Sequence, residues 1–170
     1  MGVVQGETVV DEVAEFCRRE HPALVGALGL YVGDRDVAED LAQETLLRVC
    51  REWPTVRRCD SPRAWAMCVA FNLARSRFRR AAVARRALSR LAGRAAVDDE
   101  ADGAEVLAVR RAVLGLPERQ RRVLVLRYYA DLLVRDVAAL LSCPEGTVKT
   151  LTRQALAGLR RAGLEVDADG

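Results

Sequence analysis

An all-α chain of two small helical domains is predicted from three features of the sequence. Apolar residues recur at helical spacing almost throughout, alternating β-branched runs and Asn-Gly or Asp-Gly hairpin signals are missing, and helix punctuation stands at Gly33-Asp34, Ser61-Pro62 and Leu116-Pro117. The 170 residues suffice for one mid-sized domain or two small ones. Between about Ala81 and Gly103 no amphipathic stripe is sustained, and Asp98-Asp-Glu-Ala-Asp102 gathers there, which marks a flexible linker between two domains.

A first helix is expected from about Val9 to Arg19, ending near His21-Pro22, and a second from Ala23 to Tyr31. After Gly33-Asp34, a third helix from Arg35 to Trp53 places Val37, Leu41, Thr45 and Val49 on one buried stripe. It exposes Asp36, Glu39, Asp40, Gln43 and Glu44, and Pro54 stops it. Ser61 as N-cap and Pro62 at the first helical position open a helix to about Arg80, with Trp65, Cys68, Val69 and Leu73 as its apolar stripe. Asn72, Arg75, Arg77, Arg79 and Arg80 crowd its second half, more arginine than a helix C-terminus needs. Four further helices are expected near Ala104–Gly115, Glu118–Tyr129, Leu133–Leu141 and Glu145–Ala162.

The last two of these fit a helix-turn-helix. Ala138 is the small residue where two helices touch, Val137 and Leu141 complete one inner face, and Val148 and Leu151 supply the other. Lys149, Thr150, Arg153 and Gln154 then point outward, where long polar side chains reach base edges in a major groove. The turn is unusual: Ser142 stands where such motifs place Gly, and Pro144 stands where an N-cap Ser is usual.

Charge is distributed in blocks. Residues 1–50 hold 4 Arg against 10 acidic residues, whereas residues 51–94 hold 12 Arg against Glu52 and Asp60. An acidic block followed by a strongly basic one suggests two different partners, one of them a polyanion, although the net charge is only +3. The basic side is almost all Arg, with Lys149 the only lysine, and Arg suits forked contacts with phosphate and guanine.

Several function classes fall away. His21 is the only histidine, and no nucleophile elbow or phosphate loop accompanies it, so no catalytic constellation and no cofactor is expected. Cys17, Cys50, Cys59, Cys68 and Cys143 are odd in number, lack a Cys-x-x-Cys pair and follow no secretory signal, which suggests a reducing cytoplasm. Cys17 and His21 are spaced to share a helix face as metal ligands would, but no further ligands are identifiable, and no metal is assigned. The longest apolar run, Pro22 to Gly33, is too short to cross a bilayer, so no membrane insertion is expected.

Taken together, the two halves resemble a family. Asp36-Val-Ala-Glu-Asp-Leu-Ala-Gln-Glu-Thr45, with Ser61-Pro-Arg-Ala-Trp65 and Asn72-Leu-Ala-Arg-Ser-Arg-Phe-Arg-Arg80, resembles region 2 of a bacterial RNA polymerase sigma factor of the extracytoplasmic-function (ECF) group, sigma-70 family. Leu116-Pro-Glu-Arg-Gln-Arg-Arg-Val-Leu-Val-Leu-Arg-Tyr-Tyr129, running into Asp131-Leu and Glu145-Gly-Thr-Val-Lys149, resembles region 4. The resemblance covers roughly residues 10–80 and 106–162 in the family's order, and it implies a region 2 domain over 8–82, a linker over 83–105 and a region 4 domain over 106–163.

The resemblance also implies roles. Asp40, Leu41, Gln43 and Glu44 would bind the β′ clamp helices of core RNA polymerase. Asn72 would lie near the pocket for a base flipped from the −10 element, with Arg75, Arg79 and Arg80 on phosphates. Lys149, Thr150, Arg153 and Gln154 would read the −35 duplex while the outer surface of the domain rests on the β flap. Many relatives carry Arg where Gln154 stands, and Gln pairs with adenine where Arg pairs with guanine, so the base read there is open. An anti-sigma protein covering the polymerase-binding surfaces is implied as well, as is a path for the acidic linker through the channel that later carries RNA. A two-domain helix-turn-helix repressor or activator acting without core polymerase is the alternative; it would bind duplex DNA on its own.

Overall fold

The structure, a computed structural model, describes residues 3–87 and 103–166, and side chains from 9–80 and 103–166. The eight helices expected from the sequence appear as seven, the first two fused: α1 (Val3–Val32), α2 (Arg35–Val56), α3 (Pro62–Ala87), α4 (Ala104–Gly115), α5 (Glu118–Leu124), α6 (Val134–Leu141) and α7 (Glu145–Arg161). A π-helical turn, Val125–Tyr129, continues α5. No strand occurs among the described residues. The chain divides into two compact units, the first formed by 1–28 and 35–93 and the second by 29–34 and 94–170. Most of the acidic segment Asp98–Glu105 lies outside the described residues.

In the first unit the two short helices expected before Gly33 are one, because α1 runs straight through Pro22. Proline removes one amide donor from a helix and crowds the preceding turn. Here that cost is outweighed by the helix carrying Phe16, Leu24, Ala27 and Leu28 into buried positions on both sides of Pro22. Gly33, at φ 78°, ends α1 in the left-handed conformation that favours glycine. Likewise α2 does not stop at Pro54 but reaches Val56, whose side chain is fully buried beside Phe16, Val49, Trp53 and Ala66. The Phe16 and Trp53 rings lie 5.2 Å apart, tilted, and the Arg19 guanidinium sits over Phe16.

The start of α3 is as expected: the Ala64 amide donates to Ser61 Oγ at 3.1 Å, an N-cap worth about 1 kcal/mol. Its buried stripe is only partly as expected, through Leu73. Ala66, Met67, Ala70, Phe71, Leu73 and Ala74 face inward, while Trp65, Cys68 and Val69 are half-buried. α3 packs along α2, and Ala66, Ala70 and Ala74 among its inward residues allow helices to approach closely. On α2, Val37 is only half-buried, and Ala38, Leu41, Ala42, Thr45 and Val49 form the inner face. Glu20 is buried and held by Arg19 and Arg63, each at 3.0 Å, so its charge is neutralised where water cannot reach it.

The second unit follows the expected helix boundaries closely. Leu116-Pro117 separates α4 from α5 in extended backbone, and the π turn closes with Ala130 N–H donating to the Val125 carbonyl. Gly158, in the last turn of α7, is a close approach: a Cβ there would lie 2.5 Å from Leu116 Cδ2. Val123 to Leu126, Leu132, Val137, Val148, Ala155 and Leu159 make up most of the core that fixes α6 and α7.

Candidate nucleic-acid interface

The helix-turn-helix is built from α6, the turn 142–144 and α7. Ser142 takes the left-handed conformation, φ 50° and ψ 50°. Two backbone bonds close the turn, Ser142 N–H to the Ala139 carbonyl at 3.2 Å and Cys143 N–H to the Ala138 carbonyl at 3.0 Å. This is the Schellman arrangement that a glycine normally occupies. Pro144 then enters α7 in extended backbone with no side-chain cap.

Ala138 and Val137 on α6, and Val148 on α7, are buried as expected; Leu141 and Leu151 are half-buried, and Thr152, Ala155, Leu156 and Leu159 complete the anchor of α7. Thr152 satisfies its buried hydroxyl by donating to the Val148 carbonyl at 2.9 Å. With that side turned inward, Lys149, Thr150, Arg153 and Gln154 are all exposed on one face, as the sequence predicted. Thr150 donates its hydroxyl to the Gly146 carbonyl, which leaves its methyl and the acceptor lone pairs of its oxygen available. Gln154 Oε1 accepts from Gln120 Nε2 of α5 at 3.4 Å, so a residue not anticipated from sequence orients one that was. The distance in sequence, 34 residues, hides that contact.

On α3, Asn72, Arg75, Arg79 and Arg80 are all exposed. Asn72 Nδ2 lies 3.5 Å from Cys68 Sγ, a weak bond that leaves its carbonyl and second amide hydrogen available. Burial raises the Cys68 thiol above its ordinary range, and the Asn72 amide partly opposes that shift. Arg77 turns instead towards α2, where it comes within 3.7 Å of Asp40.

The acidic helix requires a correction. Asp40, Gln43 and Glu44 are exposed on α2, but Leu41 is only 3% exposed and belongs to the core, so its side chain is not on their surface. At helical spacing it falls a little over a quarter of a turn away from Asp40. The apolar residue that does share their face is Leu47, 58% exposed, at i+3 and i+7 from Glu44 and Asp40. That spacing was legible in the sequence as a leucine on an otherwise polar stripe. Glu39, expected to be fully exposed, is half-buried and lies 3.4 Å from His21 Nε2. Cys17, which shares a helix face with His21, is opposed by Cys50 rather than by further metal ligands, and no group of three or more such ligands occurs among the described residues.

Two helical units, one with adjoining acidic and basic helices and one with an anchored helix-turn-helix, define a two-domain promoter-binding protein. Sigma-70 region 2 matches residues 16–84 and Sigma-70 region 4 matches residues 107–159. The chain belongs to the sigma-70 family, in its ECF group, and acts with RNA polymerase and promoter DNA in transcription initiation. It is 30% identical over 162 residues to the RNA polymerase sigma-E factor of Streptomyces coelicolor, covering 93% of this chain and 89% of the relative. It is 29% identical to the ECF RNA polymerase sigma factor SigK of Mycobacterium ulcerans, covering 93% and 88%. The fold is that of the sigma factor RpoE of Bartonella quintana, solved with the anti-sigma factor NepR, at a TM-score of 0.74 and 21% identity over 87% of this chain and 96% of that one. No helix among the described residues is long and apolar enough to cross a membrane.

Proposed function

We propose that the three exposed surfaces divide the work of a sigma factor. Asp40, Gln43, Glu44 and Leu47 of α2 form the contact for the polymerase clamp helices, with Leu47 the apolar centre of a charged rim. Asn72 of α3 receives a −10 base flipped from the non-template strand, and Arg75, Arg79 and Arg80 hold phosphates. On α7, Lys149, Thr150, Arg153 and Gln154 read the −35 duplex. These activities belong to a region 2 domain over 8–82 and a region 4 domain over 106–163, joined by 83–105. The exposed apolar side chains of the second unit, Val106 and Val109 on α4 and Tyr128, Tyr129 and Leu133 beyond α5, are where the β flap docks.

The observation that carries this reading is the separation of charge in the first unit: an acidic stripe with one exposed leucine on α2, and a basic face with one exposed asparagine on α3. A DNA-binding regulator that worked alone would have no use for the first. The Bartonella factor was solved in complex with an anti-sigma factor, and an anti-sigma protein is the partner expected here to cover these surfaces and hold the factor inactive. The chain has no chemistry of its own, since RNA synthesis belongs to the polymerase, and it works in the cytoplasm where that enzyme is. Run-off transcription with core enzyme on a library of random promoters tests the reading. Specific opening only when core is present supports it, and tight operator binding without core would replace it with a repressor.

A further inference from the structure

Cys17 of α1 and Cys50 of α2 face each other with their sulfur atoms 3.8 Å apart, and both are free thiols. They come from consecutive helices, 33 residues apart in sequence, and neither is among the residues assigned above to the polymerase or DNA surfaces. Cys50 is exposed and Cys17 is half-buried against the cluster of Phe16, Val49, Trp53, Val56 and Ala66. A disulfide needs a sulfur separation of about 2.0 Å. Closing the gap therefore takes a movement of roughly 1.8 Å, within reach of side-chain rotation and a small helix shift.

We infer that Cys17 and Cys50 are a peroxide-responsive thiol pair that forms a reversible disulfide cross-linking α1 to α2. The step balances with one equivalent of hydrogen peroxide. The Cys50 thiolate attacks one peroxide oxygen, the O–O bond breaks, and the departing hydroxide takes up a proton as water, leaving Cys50 as a sulfenic acid. Cys17 then attacks that sulfur, the S–O bond breaks, and a second water leaves as the S–S bond forms. Two thiols are oxidised and one peroxide is reduced, with the two thiol protons carried into the two waters.

The order follows from exposure. Cys50 is the sulfur that peroxide meets, whereas burial and the neighbouring Cys50 hold the Cys17 thiol up at about 11, so it stays protonated until a sulfenic acid is presented to it. The remaining cysteines provide internal controls. Cys59 donates to the Thr55 carbonyl, Cys68 sits beside Asn72, and Cys143 lies in the other unit. The cross-link would tie α1 to the helix that carries Gln43, Glu44 and Leu47, but its formation does not depend on the role proposed for that stripe.

The test uses the reduced full-length chain treated with stoichiometric hydrogen peroxide, followed by alkylation of free thiols, digestion and mass spectrometry. The expected result is a peptide pair joined through Cys17 and Cys50, lighter by two hydrogens than the separate peptides, with Cys59, Cys68 and Cys143 still alkylated. Dithiothreitol should restore all five thiols. The oxidised protein should melt roughly 5–10 °C above the reduced one, and the shift should vanish in Cys17→Ser and in Cys50→Ser. In Cys17→Ser, Cys50 should proceed to sulfinic acid because nothing resolves it. Two outcomes overturn the inference: Cys17 and Cys50 oxidise separately in the wild-type chain, or a different cysteine pair closes first. Both are read on wild-type protein, so a poorly folding variant cannot obscure them.

Discussion

The first unit spreads its exposed chemistry over two helices, while the second concentrates it on one. On α2 the polar stripe runs beside a buried face of Leu41, Thr45 and Val49, and the basic face of α3 is carried by a different helix with its own buried alanines. On α7 the same helix supplies the anchor and the reading face, so its side chains are fixed by packing, by the Thr150 bond to Gly146 and by Gln120 beneath Gln154. Fixed geometry suits base edges of intact duplex, where bidentate contacts discriminate only when side chains are well placed. A face of long arginines around one asparagine suits single-stranded DNA, where the phosphates are followed and a base comes out to the protein.

If the two helices of the first unit are separate surfaces, they should be separable by mutation. Glu44→Arg combined with Leu47→Ala should weaken binding to core polymerase by roughly 100-fold or more, about 3–4 kcal/mol, because it reverses a rim charge and removes the apolar centre. Fluorescence anisotropy against core enzyme reads this directly, and the region 4 domain's binding to −35 duplex should be unchanged. Equal loss of both would mean the stripe supports the fold rather than a partner.

Glu20→Ala is the contrast that tests stability alone. Removing the buried carboxylate takes away two charge-assisted hydrogen bonds, while Arg19 and Arg63 remain open to water, and should destabilise the first unit by about 2–3 kcal/mol, seen in chemical denaturation. Below the melting transition, core affinity should remain within roughly two-fold of wild type, since Glu20 touches neither exposed face. A next smaller effect is expected from Asn72→Ala, which should slow promoter opening by roughly 10- to 100-fold, about 2 kcal/mol, and relax −10 preference more than it weakens the closed complex. Permanganate footprinting of the unpaired bases against gel shift of the closed complex distinguishes these, and the opposite pattern would remove Asn72 from the pocket.

How much was legible in the sequence differs between the units for physical reasons. The helices of the second unit are bounded by strong punctuation at Leu116-Pro117 and 142–144, and α7 shows its period plainly because the inward residues are apolar and the outward ones charged. In the first unit, Pro22 and Pro54 looked like helix ends, yet burial of Leu24 and Val56 beyond them held the helices together. On α3 the expected Leu73 is buried, but half of the inner face is alanine, Ala66, Ala70 and Ala74, which carries little hydrophobic signal and so left Trp65, Cys68 and Val69 to stand out in its place. Leu41 lies on the buried stripe that the helical period predicts, and it is only the contact role implied by the resemblance that its burial opposes. Gln120 was out of reach of any local pattern, since its contact with Gln154 exists only once α5 and α7 have packed.

That contact makes a sharper prediction about the second unit. Gln154→Arg should exchange a preference for adenine for one for guanine at a single −35 position, a change of roughly 10-fold or about 1–2 kcal/mol, while leaving the other positions alone. Gln120→Ala should blunt the wild-type preference at that same position by a smaller factor, because Gln154 loses its orienting partner. A binding-site selection on randomised −35 duplex with the isolated position read out would show both. Loss of affinity spread evenly over all positions would instead place Gln154 on the phosphate backbone.

The smallest effect is expected at the turn. Ser142 holds a left-handed conformation that costs a non-glycine residue about 1 kcal/mol, but it does so in a turn closed entirely by backbone bonds to Ala138 and Ala139. Ser142→Gly should relieve that strain, and part of the gain is offset because glycine also loosens the unfolded chain. The net should be about 0.5–1 kcal/mol of added stability, a rise of roughly 2–6 °C in the melting temperature of the second unit. The −35 base preferences should not move, because α6 and α7 are already held at their angle by Val137, Ala138, Val148 and Ala155. If preference changes while stability does not, the serine side chain is itself part of the reading surface, and the contrast between a packed reading helix and its passive turn has to be redrawn.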